Sequence, residues 1–222
     1  MTSYNLAEKF VSINGEGRRA GQLAVFIRFY GCNLRCSYCD TAWAWQSDTP
    51  GERLTADEIY QYIQQTGVVN VTLTGGEPLQ QPDILPLLRL LAADPVLSVE
   101  IETNGSQPLA QVLALPNRPI LTVDYKLPDS GMESHMQPQE LATLDRRDVV
   151  KFVCSSPNDL QRAADIIAEF RLLNHTNVYF SPVWGKIEPA AMVEFMRQNR
   201  LNGVNLQLQL HKFIWPPEAR GV

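Results

Sequence analysis

Three of the four cysteines, Cys32, Cys36 and Cys39, stand within eight residues in the order Cys-x3-Cys-x2-Cys, and the fourth, Cys154, lies far from them. Disulfide frameworks belong to small secreted domains, so a clustered trio in a longer chain points to a metal or an iron–sulfur cluster. A cubane cluster takes one thiolate per iron, so a trio leaves one iron without a protein ligand, open to a small chelating molecule. Zinc is the competing reading, since three cysteines and one histidine close a tetrahedral site. The histidines, His135, His175 and His211, are all distant in sequence, so a remote one would have to complete that set. A second run, Thr74-Gly75-Gly76-Glu77-Pro78, pairs glycines that admit a ligand close to the backbone with a proline that ends strand pairing. Taken alone it is also an ordinary loop. Arg28 stands among Val25, Phe26, Ile27 and Phe29. A charge placed there needs an anion, either a substrate carboxylate clamped in bidentate fashion or a strand glutamate such as Glu100.

The elements that position these residues alternate almost from end to end. Strands are predicted over 23–30, 68–74, 97–103, 120–126, 149–155, 178–181 and 204–210, each rich in Val, Ile, Leu or Phe. Thr55 and Glu58 have capping-box spacing and open a helix through Gln65, stopped by Gly67. Further helices are predicted over 83–93, where Pro86 falls in the tolerant first turn, and over 188–198. Another opens at Ser156-Pro157 and carries Leu160, Ala164, Ile167 and Leu172. Strands spaced by helices predict parallel βα units and an α/β fold. Side chains alternate along a strand, so Thr72 and Thr74 share a face, as do Glu100, Glu102 and Asn104. Thr122, Asp124 and Lys126 form a third such set, and Asn205, Gln207, Gln209 and His211 a fourth. A doubly wound sheet would bury apolar residues on both faces. Polar rows on successive strands therefore predict an abbreviated, partial (βα) barrel of about six parallel strands with a wet lumen, against the alternative of a solvent-facing sheet. No linker or repeat breaks the chain, so residues 1–222 read as one domain with a short N-terminal segment and a C-terminal tail.

The cysteine trio after the first strand, followed one βα unit later by Gly-Gly-Glu-Pro, resembles the radical S-adenosylmethionine superfamily. There the open iron is chelated by the methionine end of the cofactor, and reductive cleavage of the sulfonium releases a 5′-deoxyadenosyl radical. The resemblance implies that Cys32, Cys36 and Cys39 hold a 4Fe–4S cluster and that Gly76 and Glu77 belong to the motif facing the methionine amino group. It also places Tyr38 beside the adenine, where core packing is the other reading. Ser12-Ile13-Asn14-Gly15-Glu16-Gly17, Arg28, Asp40-Thr41, Ile101-Glu102-Thr103-Asn104-Gly105 and Gln209-Leu210-His211-Lys212-Phe213-Ile214-Trp215-Pro216 narrow the resemblance over essentially the whole chain. Together they are similar to the 7-carboxy-7-deazaguanine synthases. These are homodimeric carbon–nitrogen lyases of queuosine-type deazapurine biosynthesis that convert 6-carboxy-5,6,7,8-tetrahydropterin to 7-carboxy-7-deazaguanine with loss of ammonia. They use S-adenosylmethionine catalytically and need magnesium.

The resemblance implies that Ile13, Asn14, Gly15, Glu16, Arg28 and Thr74 bind substrate and that Thr41 ligates Mg2+, although a threonine after aspartate is also simply a turn residue. Asp124, Tyr125 and Lys126, with Ser181, Pro182, Val183 and Trp184, would meet the cofactor. All of these stand at predicted strand C-termini, where βα barrels place their sites. Many relatives have Gln where this chain has Asn14, and some have Ser-Pro-Lys in place of Asp124-Tyr125-Lys126. In some the chain ends just after the His-Lys-aromatic segment, whereas here 217–222 continue beyond it. Cys154, on an apolar strand, reads as a buried small hydrophobe. Trp43 and Trp45 shield the cluster loop or serve core or dimer packing.

The 222 residues are 45% hydrophobic and 19% charged with a formal charge of −5, which excludes disorder and argues against a dedicated nucleic-acid binder. No apolar run approaches the ~20 residues that span a bilayer, and the start has no signal-peptide h-region. A cytoplasmic protein with no nucleic-acid or membrane partner is expected, and the resemblance implies a homodimer that accepts electrons from a reductase or flavodoxin-type donor. Two other functions compete. A glycyl-radical activating enzyme would share the cluster but act on a protein, and a zinc-stabilised binding module would have no catalysis.

Overall fold

The structure, a computed structural model, describes residues 2–45 and 51–222; Met1 and residues 46–50 lie outside it. Strands β1 (Ser3–Ile13) and β2 (Leu23–Phe29) form an antiparallel hairpin, and β3 (Glu52–Thr55) pairs antiparallel with the far edge of β1. Onto β2 are added β4 (Asn70–Gly75), β5 (Ser98–Thr103), β6 (Ile120–Tyr125), β7 (Val149–Cys154), β8 (Asn177–Pro182) and β9 (Val204–Leu206), each parallel to its predecessor. The sheet order is β3-β1-β2-β4-β5-β6-β7-β8-β9, with seven parallel strands where about six were expected. The antiparallel pair was not expected from sequence. β1 carries Asn5, Glu8 and Lys9 among its apolar residues, so its strand character comes from pairing with β2 rather than from composition.

Helix α1 (Ala56–Thr66) has the expected reciprocal capping box between Thr55 and Glu58, and Gly67 ends it at φ 68°, a left-handed conformation suited to glycine. α2 (Leu85–Ala92) and the short α3 (Ala110–Leu113) follow. Ser156 caps α4 (Pro157–Glu169) by accepting from the Asp159 amide, with Pro157 at the first position. α4 stops short of Leu172 because the chain turns at Arg171, whose φ is 49°. α5 (Pro189–Gln198) and α6 (His211–Ile214) complete the set.

The helices cover one face of the sheet only. On that face Val25, Ile27, Leu73, Ile101, Val123 and Phe180 are fully buried with Ile59, Leu88 and Ile166 from the helices. Each such side chain contributes about 1.5–3 kcal/mol relative to exposure. Phe152 bridges Tyr125 and Phe180 with ring centroids 5.7 and 6.0 Å away, and Cys154 is buried beside it as a small hydrophobe.

The other face carries the polar rows and encloses a lumen in two layers. Thr72, Glu100 and Thr122, low on their strands, are buried beneath the loop joining β1 to β2. Thr72 donates to the Asn14 carboxamide oxygen at 2.8 Å. Gly17, at φ 75°, lies so close to Glu100 that a Cβ there would stand 2.7 Å from its carboxylate. The same loop reaches the far edge of the sheet, where the Gln207 side chain bonds both the Gly17 amide (2.7 Å) and carbonyl (2.9 Å). The Leu210 amide donates to Gly15 O at 3.1 Å. The last strand was expected to run to Leu210, but it ends at Leu206 because the chain leaves the sheet to make these contacts. The lower half of the expected wet lumen is thus plugged, and only the upper half is open.

Candidate active site

At the C-terminal end of the sheet the cysteine loop leaves β2 and is tied to the glycine pair that ends β4. Gly76 N donates to Phe29 O at 3.0 Å and Glu77 N to Gly31 O at 2.8 Å. A Cβ on Gly76 would overlap the Gly31 carbonyl, and Gly75 sits at φ 130°, so neither position accepts a side chain. The Glu77 carboxylate is fully buried and accepts from Leu79 N (2.9 Å), Thr103 Oγ1 (2.8 Å) and Asn104 N (2.7 Å). Burial pushes its carboxyl upward despite those donors. Glu77 is therefore a brace between β4 and β5 and does not line the lumen.

The open upper lumen is a cavity of about 390 Å³. Its walls include Cys32, Cys36, Cys39 and Thr41, then Ile13, Asn14, Gly15, Glu16, Arg28 and Thr74, together with Tyr38, Gly76, Asp124, Lys126, Val183 and Trp184. All six expected substrate residues thus meet at one place with the cysteines and most of the expected cofactor residues. Three others do not line it. Tyr125 points to the helix face and packs on Phe152, as period-two alternation from Asp124 and Lys126 requires. Pro182 is buried at the end of β8, and Ser181 is buried with its hydroxyl on Glu16 Oε1 at 3.1 Å. The Tyr38 hydroxyl donates to Val153 O at 3.1 Å, which fixes its ring as part of the wall.

Charges in the cavity come in pairs. Arg28 Nε bonds Glu8 at 2.7 Å, so its protein partner is Glu8 on β1 and not Glu100. Among the described residues that contact engages Nε alone, leaving the terminal nitrogens for a ligand. Lys126 bonds Asp124 at 2.8 Å, and Lys212 bonds Asp40 at 3.0 Å. Partial desolvation would raise the Asp40 carboxyl, but Lys212 and the Thr41 hydroxyl, 3.0 Å away, hold it down to about 2. Lys151, 7% exposed on β7, lies 3.3 Å from Glu16 and 3.8 Å from Asp124. Burial would raise the Glu16 carboxyl, yet Lys151 and the Gln209 amide at 3.2 Å outweigh it and keep Glu16 below its ordinary value. Burial would lower the Lys151 ammonium, and its carboxylate neighbours instead raise it. Burial pushes the Cys36 thiol up to about 11, so a thiolate there requires a neighbouring cation.

A model of the radical SAM superfamily matches residues 26–125. A 7-carboxy-7-deazaguanine synthase from Clostridium acetobutylicum is 56% identical over 99% of this chain and all of its own length. One from Chlorobaculum tepidum is 38% identical over 98% of this chain and 97% of its own. The chain belongs to the 7-carboxy-7-deazaguanine synthase family. A crystal structure of QueE from Escherichia coli superposes with a TM-score of 0.72 at 23% identity, over 93% of each chain, and shows the same partial-barrel fold.

Membership of this family makes the chain a radical SAM enzyme, with S-adenosylmethionine and an iron–sulfur cluster as its cofactors. The residues present fit both groups. The glycine pair brings backbone against the cysteine loop where a Cβ would block it. The Asp124 Oδ1 and Asn14 Nδ2 atoms, in the cavity wall, are buried without a partner among the described residues. Such atoms are costly unless a ligand completes them. Among the described residues no three His, Cys, Asp or Glu side chains converge on a single metal ion.

Sequence reasoning missed Lys151 and Glu8. A lone lysine in the otherwise apolar run 149–154 was a readable signal for the first. The second depended on recognising β1.

Proposed function

We propose that this chain converts 6-carboxy-5,6,7,8-tetrahydropterin to 7-carboxy-7-deazaguanine with loss of ammonia, on the way to queuosine-type deazapurines. The observation that carries this reading is the meeting of the cysteine trio with Asn14, Glu16 and Arg28 in one cavity. Cys32, Cys36 and Cys39 would each hold one iron of a 4Fe–4S cluster, with S-adenosylmethionine beside it. When bound, these groups supply the radical hydrogen abstraction that starts the ring contraction.

The chain's own residues bind and orient. Arg28 turns its terminal nitrogens to the substrate carboxylate. The Asn14 Nδ2 donor and the Glu16 carboxylate face the donors and acceptors of the pterin ring. Thr74 already donates to Glu102 at 2.8 Å, so towards a ligand its hydroxyl can only accept. Asp124 Oδ1 accepts from a cofactor hydroxyl or amine, with Lys126 balancing its charge. Tyr38, Val183 and Trp184 wall the adenosyl side. Glu77, Tyr125, Ser181 and Pro182 act from behind the wall as supports. Thr41 would offer a hard oxygen to Mg2+, beside Asp40, whose carboxylate is paired with Lys212 at 3.0 Å. The enzyme works in the cytoplasm as a homodimer, one domain per chain, with electrons from a reductase or flavodoxin-type donor. Among the described residues no helix is long and apolar enough to cross a membrane.

The test is anaerobic reconstitution followed by incubation with dithionite, S-adenosylmethionine, Mg2+ and the carboxy-tetrahydropterin. About four irons and four sulfides per chain, with the deazaguanine and ammonia seen by mass spectrometry, are expected. Zinc alone, or cofactor cleavage without the deazaguanine, would refute the reading.

A further inference from the structure

Cys32 differs from the other two cysteines in what surrounds its sulfur. Among the described residues Cys32 Sγ accepts two N–H groups, from Leu34 N at 3.4 Å and from Asn104 Nδ2 at 3.6 Å, and neither Cys36 nor Cys39 has such a contact. The orientation of the Asn104 carboxamide is forced. Its Oδ1 faces the Ser106 backbone amide at 3.0 Å, which can only donate, and also receives the Ser106 hydroxyl at 2.6 Å. The Nδ2 end must then point at the cysteine loop, where it meets Asn33 Oδ1 at 3.1 Å as well as Cys32. Asn33 Nδ2 returns to Ser106 Oγ at 2.8 Å and closes the ring of bonds. The Asn104 backbone amide donates to Glu77 at 2.7 Å, and Glu77 N is held by Gly31 O. Asn104, 7% exposed, thus sits where the cysteine loop, the glycine pair and the end of β5 are tied together.

We propose that Asn104 is a positioning residue for electron entry, its side-chain N–H raising the reduction potential of the cluster through the Cys32 thiolate. Hydrogen bonds to ligand sulfurs stabilise the more negative, reduced form and are one of the protein's means of setting such potentials. The inference rests on the cluster assignment above. It adds that the irons are inequivalent, with the Cys32 iron the one the protein tunes.

The experiment is an EPR-monitored redox titration of the reconstituted holoenzyme, comparing wild type with Asn104→Ala, Asn104→Asp and Ser106→Ala at matched iron and sulfide content. Iron content is read first, and a wild-type chain that takes up no cluster defeats the cofactor reading itself. With cluster present, Asn104→Ala should lower the reduced-to-oxidised ratio at fixed potential about tenfold, which is ~59 mV for a one-electron couple. Asn104→Asp keeps the acceptor for Ser106 but sets a carboxylate against the thiolate, so its ratio should fall at least as far. Ser106→Ala keeps the backbone amide that orients Asn104 but removes the hydroxyl that also anchors its Oδ1 and holds Asn33, so the carboxamide is less firmly held and the ratio should shift in the same direction by a smaller factor. A merely structural Asn104 would change cluster yield or melting temperature and leave the potential alone. Ratios within threefold of wild type in both Asn104 variants, or in Ser106→Ala and whichever of them holds four irons, overturn the proposal.

Discussion

Lys151→Met removes the cation on which two cavity carboxylates depend. The ammonium lies 3.3 Å from Glu16 and 3.8 Å from Asp124, with side-chain exposures of 7%, 10% and 17% respectively. Leaving one member of a buried pair charged and alone costs about 3–5 kcal/mol. Glu16 escapes that cost by taking a proton, because the variant keeps the Gln209 amide but loses the Lys151 ammonium, the larger of the two influences that outweigh burial. A neutral Glu16 is a poorer acceptor for the pterin. Loss of one charge-assisted hydrogen bond worth roughly 1.5–3 kcal/mol raises KM about 10- to 150-fold. The sign of the pH dependence follows from the carboxyl. In the wild type it lies below its ordinary value, so its contribution to stability is present above that value and is lost as pH falls through the native pKa. In the variant it lies above, so a penalty appears as pH rises, and the melting temperature relative to wild type should fall from about pH 5 upward. KM, in contrast, should improve as pH rises and Glu16 recovers its charge. Anaerobic steady-state kinetics across pH with thermal melts reads both, and deoxyadenosine formed without pterin serves as the control that cofactor cleavage persists. Adding Glu16→Gln to Lys151→Met should restore the melting temperature without restoring KM. A KM within twofold of wild type at every pH would refute the reasoning, because Glu16 would then not depend on Lys151 for its charge.

Gly76→Ala drives a Cβ into the Gly31 carbonyl and should separate the two loops, so iron per chain after reconstitution falls by more than half; full occupancy would count against the close approach. Glu100, pushed up to about 7 by burial and by Glu102, costs the native state stability as pH rises from its ordinary value through 7. Glu100→Gln should therefore stabilise at pH 8 by about 3 kcal/mol and have little effect near pH 5, as urea unfolding at the two pH values will show. Arg28→Ala should raise KM for the pterin at least tenfold while the cluster absorption is retained, and an unchanged KM returns Arg28 to its partner Glu8 alone. Gln207→Ala strips partners from the Gly17 amide and carbonyl, a loss of about 1–3 kcal/mol that should raise KM more than it slows cofactor cleavage, measured in the same assays.

The parallel strands and the polar face of the sheet were legible in the sequence because β4, β5 and β6 alternate faithfully. Val71 and Leu73 face the helices while Thr72 and Thr74 face the lumen, and the same holds for Ile101 against Glu100 and Glu102. Caps were equally readable, since Thr55 with Glu58 and Ser156 with Pro157 act within one turn of their own helix. What escaped depends on contacts distant along the chain. β1 is a strand because β2 and β3 pair with it, and Arg28 finds Glu8 only once that hairpin exists. That Thr72, Glu100 and Thr122 are dry, while Thr74, Glu102 and Asp124 border the cavity, depends on a loop distant along the chain, which no strand pattern encodes. Tyr125 was carried along with its neighbours Asp124 and Lys126 although alternation alone sends it to the opposite face.

The division of labour in the cavity follows from how the sheet is closed. Seven parallel strands leave a gap between β2 and β9, and a lumen open at that gap could not exclude water from a reactive intermediate. Here the closure comes from two segments outside the parallel sheet, the β1–β2 loop and the chain after β9, joined through Gly17 with Gln207 and through Gly15 with Leu210. Asn14, Gly15 and Glu16 lie on the first closing segment, and Gln209, His211 and Lys212 on the second. The cysteines, the glycine pair and Asp124 stand instead on or directly after the parallel strands. In the proposed function the cofactors therefore meet the sheet, while the pterin is shared between the closing segments and Arg28 and Thr74 on β2 and β4. The same contacts that shut out solvent also set the substrate groups in place: Glu16 reaches Lys151 on β7 and Ser181 on β8 only because its loop spans the mouth of the barrel. Substitutions at the seam between the closing segments should therefore disturb pterin recognition and water exclusion together, while Gly76→Ala, against the cysteine loop, acts first on the cluster.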